Sequence, residues 1–432
     1  MVEDGALRVA ILGINYAPEE IGIARYTTDM AVALAARGHH VEVIVGKPYY
    51  PQWTIYGPYR KRGWHRDVER GIRVTRCPHY VPAVPNGPRR IAHLASFAVS
   101  ALGPALRLAF RRGSERPQVI ICVVPALLSV PVAWLAARLA RAKLWVHVQD
   151  LEVETAFATG LIADSGIIAR LAQAVENGLL RLADRISTIS PQMCAKLLQK
   201  SIEPARVVQI RNWAEPAPAP APGDTGDTLG LRESWGLGGQ HVALYSGNIA
   251  NKQGIEILIE AARISAHRTD ISWVISGEGP NRERLEKLAT GLDNVQFHDL
   301  QPTGRMPELL AMADVHLLPQ IPGAADLLLP SKLTNMLASG RPVVATTTMG
   351  TGLYDEVEGC GVTTPPGDAA SLARAVCELI DDPERRQVLG VAGKHRARKR
   401  WGREHIIDRL EKELQRVCRN EVVASTNLGS AL

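Results

Sequence analysis

Three short stretches carry residues suited to holding an anion. Ser331 and Lys332 open the segment SKLTNMLAS (331–339), where Leu333, Met336 and Leu337 recur at helical spacing and should bury. Lys332, Asn335 and Ser339 then fall on another face, and Ser331 is placed to cap the helix start. A helix N-terminus offers unpaired N–H groups and a partial positive charge, so it suits a phosphate, and Lys332 adds a full charge. Gly247, Asn248 and Lys252 follow the apolar run HVALYS, and Gly277, Glu278 and Gly279 follow ISWVIS. Two lysines plus one helix end match a diphosphate better than a monophosphate. The plainer alternatives are a solvated Lys332 and an ordinary glycine turn at 277–279.

The elements that must position these residues are legible from periodicity. LRVAILGI (7–14) is continuously apolar, as expected for a strand buried on both faces. A helix over 24–38, stopped by Gly38, and a strand over 40–46 complete a β-α-β unit. Further strands are predicted at 73–77, 118–125, 143–150, 185–190 and 207–213, with helices at 128–141, 164–182 and 191–200. Residues 214–228, AEPAPAPAPGDTGDT, are low in complexity and extended, and mark a linker. The same grammar restarts beyond it, with strands at 241–247, 271–277, 295–299, 315–320 and 341–346. Helices at 253–267, 280–290, 304–313, 331–339, 369–381 and 384–400 alternate with and follow them. The expected architecture is α/β: two facing Rossmann-like parallel-sheet domains, 1–213 and 229–400, with an interdomain cleft. A helix over 401–418 is free to cross back to the first domain, and the tail from Glu421 frays. Parallel strands point the same way, so all three anion-suited loops open at one sheet edge, where ligands of such sheets bind.

The first half offers a second set. Gly22 sits at the start of the first helix, where it either lets a ligand approach the backbone or simply turns the chain. KPYYPQW (47–53) places Tyr49, Tyr50 and Trp53 after the second strand; their rings either face a sugar or staple the loop down. Asp150 and Glu152 or Glu154 follow a buried strand, where an acid positions or deprotonates a hydroxyl, unless Asp150 only caps a helix. The stretch 89–113 has arginines at both ends and an apolar middle. It reads as a membrane-surface segment or as a core helix pair.

Composition limits the alternatives. The chain has 432 residues, 46% hydrophobic and 22% charged, which is ordinary for globular domains. A formal charge of +6 admits anionic partners, but with 4 Phe and no basic block interleaved with aromatics, nucleic acid is not expected. The 6 cysteines are scattered without C-x-x-C or metal-ligand spacing, which fits reduced thiols in a cytoplasmic protein. No signal peptide is visible, and no aspartate-rich metal site, so no metal is expected.

As a set, YSGNIANKQGIEILIEAA (245–262), WVISGEGPNRERLE (273–286) and MADVHLLPQ with LPSKLTNMLASGRPVVAT (312–346) resemble the retaining, nucleotide-sugar-dependent glycosyltransferases of family 4, of GT-B fold. NYAPEEIGIARYTTDMAVALAARGHHVEVIVGKPYYPQW (15–53) and WVHVQDLEVE (145–154) look most like the branch of colanic acid biosynthesis, a fucosyltransferase of exopolysaccharide synthesis. The resemblance covers nearly the whole chain apart from linker and tail. It implies transfer of a hexose or deoxyhexose from a GDP- or UDP-linked donor, with no cofactor beyond that substrate, to a saccharide or lipid-linked oligosaccharide. The donor belongs to the second half, the acceptor to the first. The location implied is the cytoplasm, or the inner face of the plasma membrane as a peripheral protein. Departures are specific. The family's E-x7-E pair falls near Leu327 and on Asn335, with Asp326 one residue off; Asn335 can bond a ribose hydroxyl but is no carboxylate. An arginine often found after the SG strand is Asn248. The usual His-Asp pair reads Gln149-Asp150, with His147 two residues earlier. These positions nominate Asp150, His147, Lys252 and Lys332 for chemistry, and Tyr49, Tyr50, Trp53, Gln149 and Glu152 for the acceptor. A sugar-nucleotide epimerase on the same plan, or a non-catalytic nucleotide-sugar-binding subunit, stays open.

Overall fold

The computed structural model describes residues 5–19, 22–153, 166–213, 226–249, 253–321, 331–419 and 421. Lys252, Glu154, Asp326, Leu327, most of the linker and the tail beyond 421 lie outside them. The chain forms two compact units: residues up to Asn212 together with those from Ile406 on, and Trp213–His405.

The first unit is built on an eight-stranded sheet of order β3-β4-β2-β1-β5-β6-β7-β8. Its strands are β1 (Arg8–Gly13), β2 (His40–Gly46), β3 (His65–Glu69), β4 (Ile72–Cys77), β5 (Val119–Val124), β6 (Lys143–Val148), β7 (Arg185–Thr188) and β8 (Val207–Gln209). Helices α1 (Ile23–Ala36), α2 (Gly87–Ala109), α3 (Val130–Ala140), α4 (Ile167–Arg181) and α5 (Pro191–Gln199) connect them. All pairings are parallel except β3 with β4. β3 escapes a hydrophobic-pattern reading because HRDVE is polar and mostly exposed, as suits an edge strand. The stretch 89–113, for which a core helix pair is one of the two readings, holds most of one helix of 23 residues, α2, with Pro104 inside it. Phe97, Ala101, Ala105 and Leu108 are buried in the first core, and that packing outweighs the one backbone bond a proline forfeits. α2 is also long and apolar enough to cross a membrane; here its apolar side lines the core.

The second unit carries a six-stranded, wholly parallel sheet of order β11-β10-β9-β12-β13-β14. The strands are β9 (His241–Ser246), β10 (Ile271–Ser276), β11 (Val295–His298), β12 (Val315–Leu318), β13 (Val343–Thr346) and β14 (Gly361–Thr364). The helices are α6 (Gly226–Ser234), α7 (Glu256–Ile264), α8 (Arg282–Leu288), α9 (Met306–Ala311), α10 (Ser331–Ala338), α11 (Gly352–Val357), α12 (Ala369–Asp381) and α13 (Pro383–Trp401). Leu333, Met336 and Leu337 of α10 are fully buried, as their spacing requires. α11 and β14 go unseen in the sequence; GVTT is short and mostly half-buried, with no apolar run to announce it.

The final helix, α14 (Arg403–Cys418), packs with the first unit through charge as well as apolar contact. Arg37 pairs with Asp408 at 2.6 Å and Glu411 at 2.8 Å, and His39 Nε2 lies 3.1 Å from Glu411. Arg185 of β7 and Glu413 form a buried ion pair, and Arg416 reaches the same carboxylate at 2.7 Å. Removing one partner strands the other charge in a low-dielectric core. Glu413→Ala is expected to destabilise the protein by about 3 kcal/mol or more, read as a lower urea midpoint by circular dichroism.

Candidate functional site

In the second sheet β9 lies between β10 and β12, so chain order reverses there and a crevice opens at the carboxyl ends of these strands. Gly247 N–H donates to Ser276 O (2.9 Å) and Ile249 N–H to Glu278 O (2.8 Å), locking the loops after β9 and β10 together. The contact is backbone on backbone: a Cβ at Gly277 would stand 1.9 Å from Gly247 O. Gly254, on the loop before α7, lies against the Ile321 side chain beyond β12, 2.7 Å from an added Cβ. Four segments and the start of α10 thus converge on one edge.

Lys332 is the charge at that edge. Its ammonium donates to Tyr245 Oη (2.7 Å) and lies 4.1 Å from the centroid of the same ring. Tyr245 Oη in turn donates to Asn248 O (2.7 Å). The Lys332 ammonium is so close to β9 that a Cβ on Gly247, whose φ is 131°, would sit 2.9 Å from it. Among the described residues no carboxylate pairs with Lys332. Burial without a counter-charge pushes its amine down to about 7. An arriving anion would supply that missing charge and raise the amine again. Three buried amide oxygens at this edge, on Gln253, Gln320 and Asn335, have no hydrogen-bond partner among the described residues. As amide oxygens they can accept from a donor such as a hydroxyl or a ring N–H.

The remaining donor-side positions divide. Asn248 is exposed, and Ser331 begins α10. Glu278 does not offer a free carboxylate: Arg282 holds it at 2.5 Å while also pairing with Glu286 and Asp299 at 2.8 Å each. Lys252 is outside the described residues. Tyr245 was not anticipated, although a tyrosine directly after the aliphatic run VAL of β9 is a signal that its hydroxyl needs a partner.

In the first unit two expectations are corrected. His147 is fully enclosed, with Nδ1 2.7 Å from Ser187 Oγ and Nε2 2.9 Å from Gln149 Nε2. Gln149 is buried too: its Nε2 also donates to Asn212 Oδ1 (3.0 Å) and its Oε1 accepts from Asn212 Nδ2 (2.8 Å). Trp145 Nε1 extends the chain to Ser187 Oγ at 2.7 Å. Both ring nitrogens of His147 are engaged inside, and burial pushes the imidazole down to about 4, so it is neutral. These residues brace β6 against β7. Tyr49 is the other correction: it is buried edge-on against Trp53 (5.4 Å), His79 (5.4 Å) and His93 (4.6 Å) and presents no free face. Tyr50 and Trp53 stay partly open.

Gly22, with φ 64°, precedes α1, and an added Cβ there meets nothing, so the position is open space at the sheet edge. Asp150 and Glu152 follow β6 and are half-buried. Glu152 accepts the Leu127 N–H at 2.8 Å. Burial, then the charges of Asp150 and Glu176, push its carboxyl up to about 7, the range of a general acid or base at neutral pH. Glu19, not singled out in the sequence, is a buried organiser: it accepts from Tyr49 N (2.7 Å), Tyr50 N (2.9 Å) and Asn15 Nδ2 (2.9 Å), tying the loops after β1 and β2 together.

Two parallel-sheet units, the second with a phosphate-suited edge, define the GT-B class. Residues 22–213 match the glycosyl transferase 4-like domain and residues 240–382 match glycosyl transferases group 1. The chain is 40% identical over 390 residues to the colanic acid biosynthesis glycosyl transferase WcaI of Escherichia coli (strain K12), covering 88% of this chain and 94% of that one. It is 30% identical over 380 residues to the 2-deoxystreptamine glucosyltransferase of Streptomyces kanamyceticus, covering 82% and 88%. The fold matches sucrose-phosphate synthase from Thermosynechococcus elongatus with a TM-score of 0.71 at 18% identity, over 96% of this chain and 100% of that one. It also matches Anabaena HepE in complex with UDP, TM-score 0.68 at 16% identity, over 94% and 99%. The chain belongs to the glycosyl transferases.

Two tests address the edge. The protonated Lys332 is the form that attracts an anion, so above its pKa each binding event must first draw a proton. Affinity for UDP and GDP, measured by calorimetry, is expected to fall by about tenfold or more from about pH 7 to about pH 9. Proton uptake on binding should grow over the same range, and Lys332→Met should abolish both trends. Gly277→Ala forces the β9 and β10 loops apart; it is expected to cost about 2 kcal/mol of stability by thermal unfolding and to weaken nucleotide binding.

Proposed function

We propose that the chain transfers a hexose or deoxyhexose from a GDP- or UDP-linked sugar to a lipid-carried saccharide, with retention at the anomeric carbon, in exopolysaccharide or cell-surface glycan assembly. The observation that carries this reading is the Lys332 ammonium, held on Tyr245 beside Gly247 at the sheet's switch point with no carboxylate partner among the described residues. The WcaI relative's part in colanic acid biosynthesis and the UDP bound by HepE support the substrate classes.

As the bond from the anomeric carbon to the diphosphate breaks, negative charge builds on the leaving group. Lys332 and the first N–H groups of α10 are fixed donors for that charge, and preorganised donors of this kind are the largest catalytic contribution the residues present can make. Lys252 is proposed as a second cation. The acceptor hydroxyl forms the new C–O bond and gives up its proton; Glu152, poised near neutrality, or Asp150 is suited to orient or take it. Gly22, Tyr50 and Trp53 are proposed around the same reaction, Gly22 on the donor and the aromatics on the acceptor. Asn335 and Gln320 are suited to ribose or base contacts through their unpaired oxygens. A lipid-carried acceptor places the protein in the cytoplasm, peripheral on the inner face of the plasma membrane.

The experiment uses labelled GDP- and UDP-sugars with and without a membrane extract. Acceptor-dependent release of nucleoside diphosphate is the expected result, and Lys332→Ala should slow it by more than about tenfold. Conversion of the sugar nucleotide without acceptor would mark an epimerase, and binding without turnover a non-catalytic subunit; either outcome removes the transfer reading.

A further inference from the structure

The first turn of α2 is charged against its own dipole. Helix N-termini carry partial positive charge and favour acids, yet this turn holds none and places Arg89 and Arg90 there instead. Arg89 has a partner, its Nη1 donating to Val84 O at 3.3 Å. For Arg90, among the described residues, no carboxylate or carbonyl meets the guanidinium, which lies 5.9 Å from the centroid of the Trp53 ring, within cation–π reach. Cations at the positive end of a 23-residue helix are unfavourable until an anion offsets them.

Trp53 is held beside Arg90 by a strained backbone. Its φ is 52°, in the left-handed region that a side chain this large rarely adopts. The ring is tilted against His93 (5.4 Å) and edge-on to Tyr49 (5.4 Å), and it stays half-buried. His93 is 2% exposed. Its Nδ1 lies 2.5 Å from Tyr80 O, and a carbonyl only accepts, so the proton is on Nδ1 and Nε2 keeps its lone pair. That buried lone pair has no donor among the described residues, which is unfavourable until a hydroxyl reaches it. Glu152 borders the same cluster: burial raises its carboxyl to about 7, and Arg90 is close enough to pull it back down. The start of α2, the loop after β2 and the loop after β6 thus bring together a cation, an aromatic face, an imidazole lone pair and an acid.

A neutral sugar engages the ring, the imidazole and the acid, and leaves Arg90 unused. A saccharide that also carries a phosphate or carboxylate engages all four, because a guanidinium bonds such oxyanions through paired N–H groups. We propose that Arg90, steadied on Trp53, is an anion subsite for the acceptor, which brings an oxyanion next to the sugar that it presents to Glu152. His93 Nε2 accepts from a hydroxyl of that sugar. The role rests on the proposed transfer to a saccharide; the affinity of the site for an oxyanion does not. A bound oxyanion cancels the pull of Arg90 on Glu152, so an acceptor in place makes that carboxylate a stronger base.

The test is calorimetry on the full chain with UDP or GDP present to fill the Lys332 edge. The probes are farnesyl diphosphate, octyl glucuronide and octyl glucoside. One of the two charged probes should bind at least about tenfold more tightly than octyl glucoside, and Arg90→Met should remove that preference. Farnesyl diphosphate as the tighter probe identifies the anion as a phosphate, and octyl glucuronide identifies it as a carboxylate. Arg90→Lys, which keeps the charge without the paired donors, should retain part of the preference, and Arg89→Met should change it by less than about twofold. Equal binding of the three probes, binding of none, or an equal effect of the Arg89 and Arg90 changes would overturn the proposal. Transfer to the acceptor in a membrane extract is assayed on the same preparations. Arg90→Met should raise KM for the acceptor by about tenfold and leave KM for the sugar nucleotide unchanged. It should also move the acidic limb of the rate to higher pH, because Glu152 loses the cation that lowers it. Turnover with an unaltered acceptor KM removes the subsite and leaves transfer; probe binding that depends on Arg90, without turnover, does the reverse.

Discussion

An ammonium group kept beneath a sheet edge, with no carboxylate beside it among the described residues, is costly, and the second unit is arranged around tolerating it. Lys332 keeps one hydroxyl and one aromatic face as partners, both from Tyr245, and its amine settles near neutrality as a result. The arrangement depends on how closely the backbone approaches. Gly247 and Gly277 let the β9 and β10 loops touch, and any side chain at either position would occupy the space of the lysine or of the neighbouring carbonyl. A carboxylate beside Lys332 would remove the strain and also the reason for an anion to bind.

The first unit solves a different problem with the same materials. Its sheet edge is stiffened from below: His147, Gln149, Asn212 and Ser187 saturate one another, and Glu19 gathers the loops after β1 and β2. Only after those bonds are counted does the remaining reactive group stand out. Glu152 is half-buried near Asp150 and pushed toward neutrality by its surroundings. His147 and Gln149 act as scaffold, and Glu152, three positions on from Gln149, is the acid held near neutrality.

The difference between the two outcomes is a lesson in what periodicity carries. The β-α-β alternation, the buried face of α10 and the convergence of the glycine loops all follow from spacing, because parallel strands and helical repeats fix direction. The direction of His147 does not. On a strand buried on both faces, alternation separates two sides that are equally enclosed, so nothing in WVHVQD says whether the imidazole meets solvent or serine. Tyr49 fails for a related reason: KPYYPQW predicts an aromatic loop, but the two histidines that enclose it come from residues 79 and 93, far along the chain.

The return of α14 to the first unit has a consequence for biogenesis. A ribosome releases the chain in order, so the first sheet is complete long before the helix carrying Glu413 and Glu411 exists. Arg185 and Arg37 must wait without those partners while the whole second unit is translated. The later-made unit is therefore free to reach its native state first. A premature stop within the last helix would damage the earliest-made part of the protein and leave the most recently made part intact.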